Sequence, residues 1–95
     1  MDIETSSNTI KIRGNIKSVA DYQKIKVAFE RMTHEHKNIL LDIQDSISIT
    51  SSVIGYLTKL VQKDGIDLSI SVGSESLMEL FDDLNLVALF KVKKV

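Results

Sequence analysis

Residues 39–61, ILLDIQDSISITSSVIGYLTKLV, decide the fold. Ile39-Leu40-Leu41-Asp42-Ile43 is an almost unbroken apolar run. A central strand covered wholly or partly on both faces reads this way. Ile47 and Ile49 then alternate with Ser46 and Ser48, and the polar run Thr50-Ser51-Ser52 follows. Beyond it Val53, Ile54, Leu57, Leu60 and Val61 recur at helical spacing, one apolar face of a second helix. Asp64-Gly65 stops that helix, because glycine tolerates the left-handed backbone at a helix C-terminus. A strand, a serine-rich loop and an amphipathic helix in this order make the first half of a βαβ unit, whose next strand is expected to lie parallel to the first.

Downstream, Leu68, Ile70 and Val72 alternate with Ser69 and Ser71, a strand with one polar face. Gly73-Ser74 opens a third helix with Leu77, Leu80, Phe81 and Leu84 on one side. A last strand is expected from Leu89 to Val95, its lysines discouraging edge-to-edge pairing with other chains. Upstream, Ile10 and Ile12 flank Lys11, and Met1, Ile3 and Thr5 alternate with Asp2 and Glu4, an antiparallel hairpin turning through Ser6-Ser7-Asn8. Gly14-Asn15 ends the second strand. Ser18 is placed to cap the first helix, whose stripe is Val19, Tyr22, Ile25, Phe29 and Met32 and whose end falls near His34–Lys37. The order β-β-α-β-α-β-α-β predicts an α/β domain spanning residues 1–95: a mixed, largely parallel sheet with helices mainly on one face.

The composition sets limits on function. The chain has 95 residues, 43% hydrophobic and 26% charged, with no tryptophan, so its core is built from Ile, Leu and Val. It has no cysteine and hence neither disulfides nor thiolate metal sites. A net charge of −1 with no basic block argues against a nucleic-acid partner. The longest apolar run, Leu86 to Phe90, is far too short to insert in a membrane, and the acidic start of the chain is not an export signal. A cytoplasmic location is expected.

No catalytic set emerges. His34 and His36 lie two apart, which on a helix points them to different sides, unlike the HExxH spacing that aims two imidazoles at one metal. Asp82 and Asp83 diverge likewise. Asp42 ends the central strand, where open α/β sheets place ligands, but it stands alone. No glycine-rich phosphate cradle is present. Thr50-Ser51-Ser52 at the start of the second helix is a different matter. Capping alone accounts for such hydroxyls. A phosphate placed there would meet the free N–H groups and positive dipole end of the helix, tolerable to the fold and disruptive to anything docked on it. No cofactor or metal is expected.

Taken in order, Ile39-Leu40-Leu41-Asp42, Thr50-Ser51-Ser52-Val53-Ile54-Gly55, Leu68-Ser69-Ile70-Ser71-Val72-Gly73 and Asn85-Leu86-Val87-Ala88-Leu89-Phe90 resemble the STAS domain, the fold of bacterial anti-sigma factor antagonists. The resemblance covers most of the chain and is strongest from Asn38 to Val92. It implies a non-enzymatic partner-switching regulator that binds an anti-sigma factor acting also as a serine kinase, with ATP held by that partner. Phosphorylation separates the pair and a phosphatase restores it. By position the phosphorylated serine is Ser51, and the docking surface comprises Thr50, Ser51, Ser52, Val53, Gly55 and Tyr56. Two positions depart from the family's Asp-Ser-Ser-Gly-Leu-Gly: Thr50 replaces the aspartate, and Val53 replaces the first glycine, adding bulk where a partner would dock. The alternative within the resemblance is an accessory subunit of an ABC lipid transporter, docked constitutively on its ATPase through the same helix. A third reading is a small-ligand sensor using a cleft near Asp42.

Overall fold

A computed structural model of the chain describes residues 1–95. Eight elements follow in the expected order: β1 (Asp2–Ser6), β2 (Thr9–Arg13), α1 (Val19–Thr33), β3 (Asn38–Ile43), α2 (Ser51–Gln62), β4 (Asp67–Val72), α3 (Glu75–Asp83) and β5 (Val92–Lys94). The five strands form one sheet in the order β1-β2-β3-β4-β5. β1 and β2 are antiparallel, and β2, β3, β4 and β5 run parallel. The hairpin closes over Ser7 and Asn8 alone, Ser6 pairing with Thr9 as the last rung, and Ser7 takes the turn with φ +54°.

Alternation along the strands decides which face the helices cover. Ile10, Ile12, Ile39, Leu41, Ile43, Leu68, Ile70 and Val72 are buried in one cluster with Ile25 and Phe29 of α1, Leu57 of α2 and Phe81 of α3. All three helices therefore lie on the same side. Their residues supply apolar surface at about 25 cal/mol per Å² removed from water, the main source of stability in a domain of this size. The opposite face is open. Glu4, Lys11, Asp42, Ser71 and Lys93 fall in one cross-strand row along it, a line of complementary polar neighbours.

Four expectations need correction, the first being that Leu84 lies past the end of α3, 47% exposed, and so adds nothing to its apolar side. β3 is covered on one face only: Leu40 remains 36% exposed on the open side, and the apolar run reflects one leucine there rather than a second helix layer. Val19 falls outside the α1 stripe, 74% exposed in the helix's first turn where nothing packs over it. The last strand does not begin at Leu89. Residues 87–91 form a turn in which Lys91 has φ +49°, and only Val92–Lys94 pair with β4. Phe90 is nonetheless fully buried, its ring edge-on to Phe81 at 6.0 Å, so its apolar character belongs to the core without belonging to a strand.

Candidate functional site

The carboxyl ends of the parallel strands carry the loops that launch α1 and α2. Side chains lace these two loops together. Gly14 N–H donates to Asp45 Oδ1 at 2.7 Å, Ile16 N–H to Ser46 Oγ at 3.0 Å, and Ile47 N–H to Asn15 Oδ1 at 3.0 Å. Ser48 Oγ returns a bond to Ile16 O at 3.2 Å. Ser46, fully buried, also donates through Oγ to Ser48 O at 2.6 Å. The serines of residues 46 and 48 thus substitute for a strand ladder and hold the segment in a loop, where sequence alternation alone reads as extended. Ile49 folds into the core while Ile47, two residues earlier, is 60% exposed. On the neighbouring loop Gly73 passes so close to Gln44 that a Cβ would lie 2.0 Å from the Gln44 carbonyl oxygen, which leaves glycine as the residue that fits.

Thr50 is the N-cap of α2, with extended backbone, and its Oγ1 accepts from Val53 N–H at 3.3 Å. The hydroxyl caps the helix without adding charge, and the first turn of α2 carries no acidic residue. Ser51 and Ser52 occupy the first two helical positions and are exposed. Their N–H groups have no partner within the chain and face the same solvent as their hydroxyls. One further turn along, Gly55 is exposed, and a Cβ there would meet nothing within 4 Å. A helix-interior glycine costs roughly 1 kcal/mol relative to alanine, and no feature of this fold requires one at position 55.

The other members of the expected docking set divide. Val53 is fully buried, so it is a core residue and adds no bulk to the surface; the expectation of a contact there is corrected by the helix phase, which turns it toward the sheet. Tyr56 is half-buried against α1, edge-on to Tyr22 at 6.3 Å and to Phe29 at 6.2 Å. Burial pushes its phenol up from the ordinary 10.0 to about 12, aided by the negative charges of Glu30 and Asp64 and by Tyr22. Tyr56 therefore fastens α2 to α1 and exposes part of itself beside Gly55.

Sequence reasoning passed over two surface residues. Val19, one turn before Tyr22, and Ile47, in the laced loop, present apolar side chains at the same end of the molecule as Ser51 and Ser52. Helical spacing assigned Val19 to the core; its place directly after the Ser18 cap, as the first helical residue, was the available signal. α1 itself starts from a capping box, with Ser18 Oγ accepting from Asp21 N–H and Asp21 Oδ2 accepting from the N–H groups of Lys17 and Ser18. The Lys17 N–H bond is the chief cause that holds the Asp21 carboxyl below its ordinary value of 3.8.

Asp42 lies elsewhere, on the open sheet face, where its carboxylate accepts from Ser71 Oγ at 3.2 Å. His34 and His36 sit past the end of α1, at the opposite end of that helix from Ser18, and no three His, Asp or Glu side chains converge as a metal site. No helix is long and apolar enough to cross a membrane. Comparison with protein-family models, with curated proteins and with solved structures finds no match to the chain.

Proposed function

We propose that this is a STAS-like partner-switching domain: it docks another protein on the start of α2, and phosphorylation of Ser51 by an anti-sigma factor of the serine-kinase type releases that protein. The domain acts by docking and not by catalysis, and ATP belongs to the partner. The observation that carries this reading is the combination of two exposed, uncapping serines at the first two positions of α2 with an unneeded glycine one turn later. The serines are reachable by a kinase, since the capping work falls to Thr50. Gly55 leaves a shallow place where a partner's backbone or a bulky side chain can come close, and Val19 and Ile47, at the start of α1 and in the loop before α2, expose apolar side chains for further contact.

The chemistry of the switch follows from position. A phosphate on Ser51 adds a charge of about −1.5 to −2 at a helix N-terminus, which the unpaired N–H groups and the dipole stabilise. The folded domain keeps its structure while a partner seated over the same atoms must desolvate a dianion. The test is isolation of the partner from native cells with and without ATP, with mass spectrometry of residues 50–52. The reading predicts one phosphate, chiefly on Ser51, and loss of the partner when ATP is present. Unmodified residues 50–52 with binding that persists in ATP would instead support constitutive docking of the kind used by subunits of ATP-driven lipid transporters.

A further inference from the structure

The two edges of the sheet are unlike. β5 is three residues long and bears Lys93 and Lys94, with Lys91 just before it held to Asp67 at 2.6 Å. Shortness and lysines are standard protections against added strands. β1 is five residues long, pairs only with β2, and carries no lysine or proline. Alternate N–H and C=O groups along its outer side are left without a strand partner.

The helix layer stops short of this edge. Ile3 and Thr5 pair with the buried Ile12 and Ile10 and so face the helix side, yet Ile3 is only half-buried and Thr5 is exposed. Between β1 and α1 lies a groove of about 830 Å³. Its apolar lining comes from Met1, Ile3, Val27, Ala28 and Met32, with Val27 49% exposed. Lys24 and Arg31 of α1 stand along it, and the acids of its lining are Glu35, just past the end of that helix, and Asp2 of β1. On the open side of the sheet, β1 presents Asp2 and Glu4, and the only ionic contact of Glu4 is a loose one of 3.9 Å with Arg13.

We infer that β1 is a strand-addition site: an extended segment of another protein pairs with its free edge, setting lysine or arginine beside Asp2 and Glu4 and alternate apolar and acidic side chains into the groove beneath, against Ile3, Val27, Lys24 and Arg31. A second copy of this chain does not fit. Directly opposed residues of an antiparallel pair share a face, so a two-fold pairing centred on Glu4 sets Glu4 against Glu4, and one centred on Ile3 sets Asp2 against Glu4 twice. A pairing centred on Thr5 joins only Glu4 to Ser6 and leaves Ile3 uncovered. The main-chain bonds supply affinity and the alternate side chains supply selectivity, as in other strand additions. This surface is separate from the start of α2, and the inference stands independently of the switch proposed there.

The probe is a capped peptide of sequence Lys-Leu-Lys-Glu-Lys-Leu-Lys, titrated into isotopically labelled protein and followed by backbone amide shifts. Saturable changes are expected in residues 1–7 and 23–36, with the α2 start unmoved. N-methylation of the peptide amides on its pairing edge is expected to weaken binding at least tenfold, since those groups bond β1. Exchanging Lys for Glu and Glu for Lys in the peptide should weaken it about fivefold, and Glu4→Lys should narrow or reverse that preference. Any of four results would overturn the inference: no shift changes at millimolar peptide, equal binding of the N-methylated peptide, changes centred on α2, or concentration-dependent self-association of the chain that Glu4→Lys abolishes.

Discussion

At the scale of single residues, the domain is most informative where a side chain does less for the fold than its position allows. Gly55 is the clearest case, because open space surrounds the place of its missing Cβ. Gly55→Ala is expected to raise unfolding free energy by about 0.5–1 kcal/mol, measured by urea denaturation, while weakening capture of the partner. A variant that gained stability and kept full binding would remove Gly55 from the docking surface. Tyr56 makes a contrasting prediction. Its phenol titrates near 12 in the fold and near 10.0 when unfolded, so the folded state holds its proton more tightly. The stability this contributes is present in full below pH 10 and is lost as pH rises from about 10 toward 12. Tyr56→Phe is expected to remove that part of the alkaline loss, read as unfolding midpoints in urea across this range. Indistinguishable pH dependence in the two proteins would count against the burial of Tyr56.

At the scale of elements, hydrophobic period decided what could be read in the sequence. Strands β1 to β4 and the body of each helix lie where alternation and three-four spacing put them, because those periods report burial over several residues together. The failures share a cause: an apolar side chain does not say what covers it. Leu40 sits on an uncovered face, Val19 opens α1 on a side that nothing covers, Leu84 lies past the end of α3, and Phe90 reaches the core from a turn. The candidate site was legible as capping chemistry, since Thr50-Ser51-Ser52 begins α2 as the residue types require. Its extent was not, because the helix phase that hides Val53 and the loop that exposes Ile47 depend on long-range contacts. Ser46 carries the loop's geometry. Ser46→Ala leaves the buried Ile16 N–H without its acceptor and is expected to cost about 1–3 kcal/mol, measured by denaturant unfolding. A loss within about 0.5 kcal/mol, the scatter of unexceptional surface changes, would mean the two loops hold without it.

For the whole molecule, one layer of helices on one face of a mixed sheet leaves three distinct surfaces: the launch points of α1 and α2, the edge of β1, and the open polar face. The proposed switch needs the first of these to be rigid, and the laced loops and the Tyr22–Tyr56–Phe29 contacts tie the two launch points together. A rigid surface loses its partner through charge alone and needs no change of fold. The most direct measurement is therefore the affinity of the isolated partner for the unmodified domain and for the same domain phosphorylated at Ser51, with circular dichroism recorded on both. Binding at least tenfold weaker after phosphorylation, with unchanged secondary structure, is the predicted result. Equal affinity of the two forms would contradict the account.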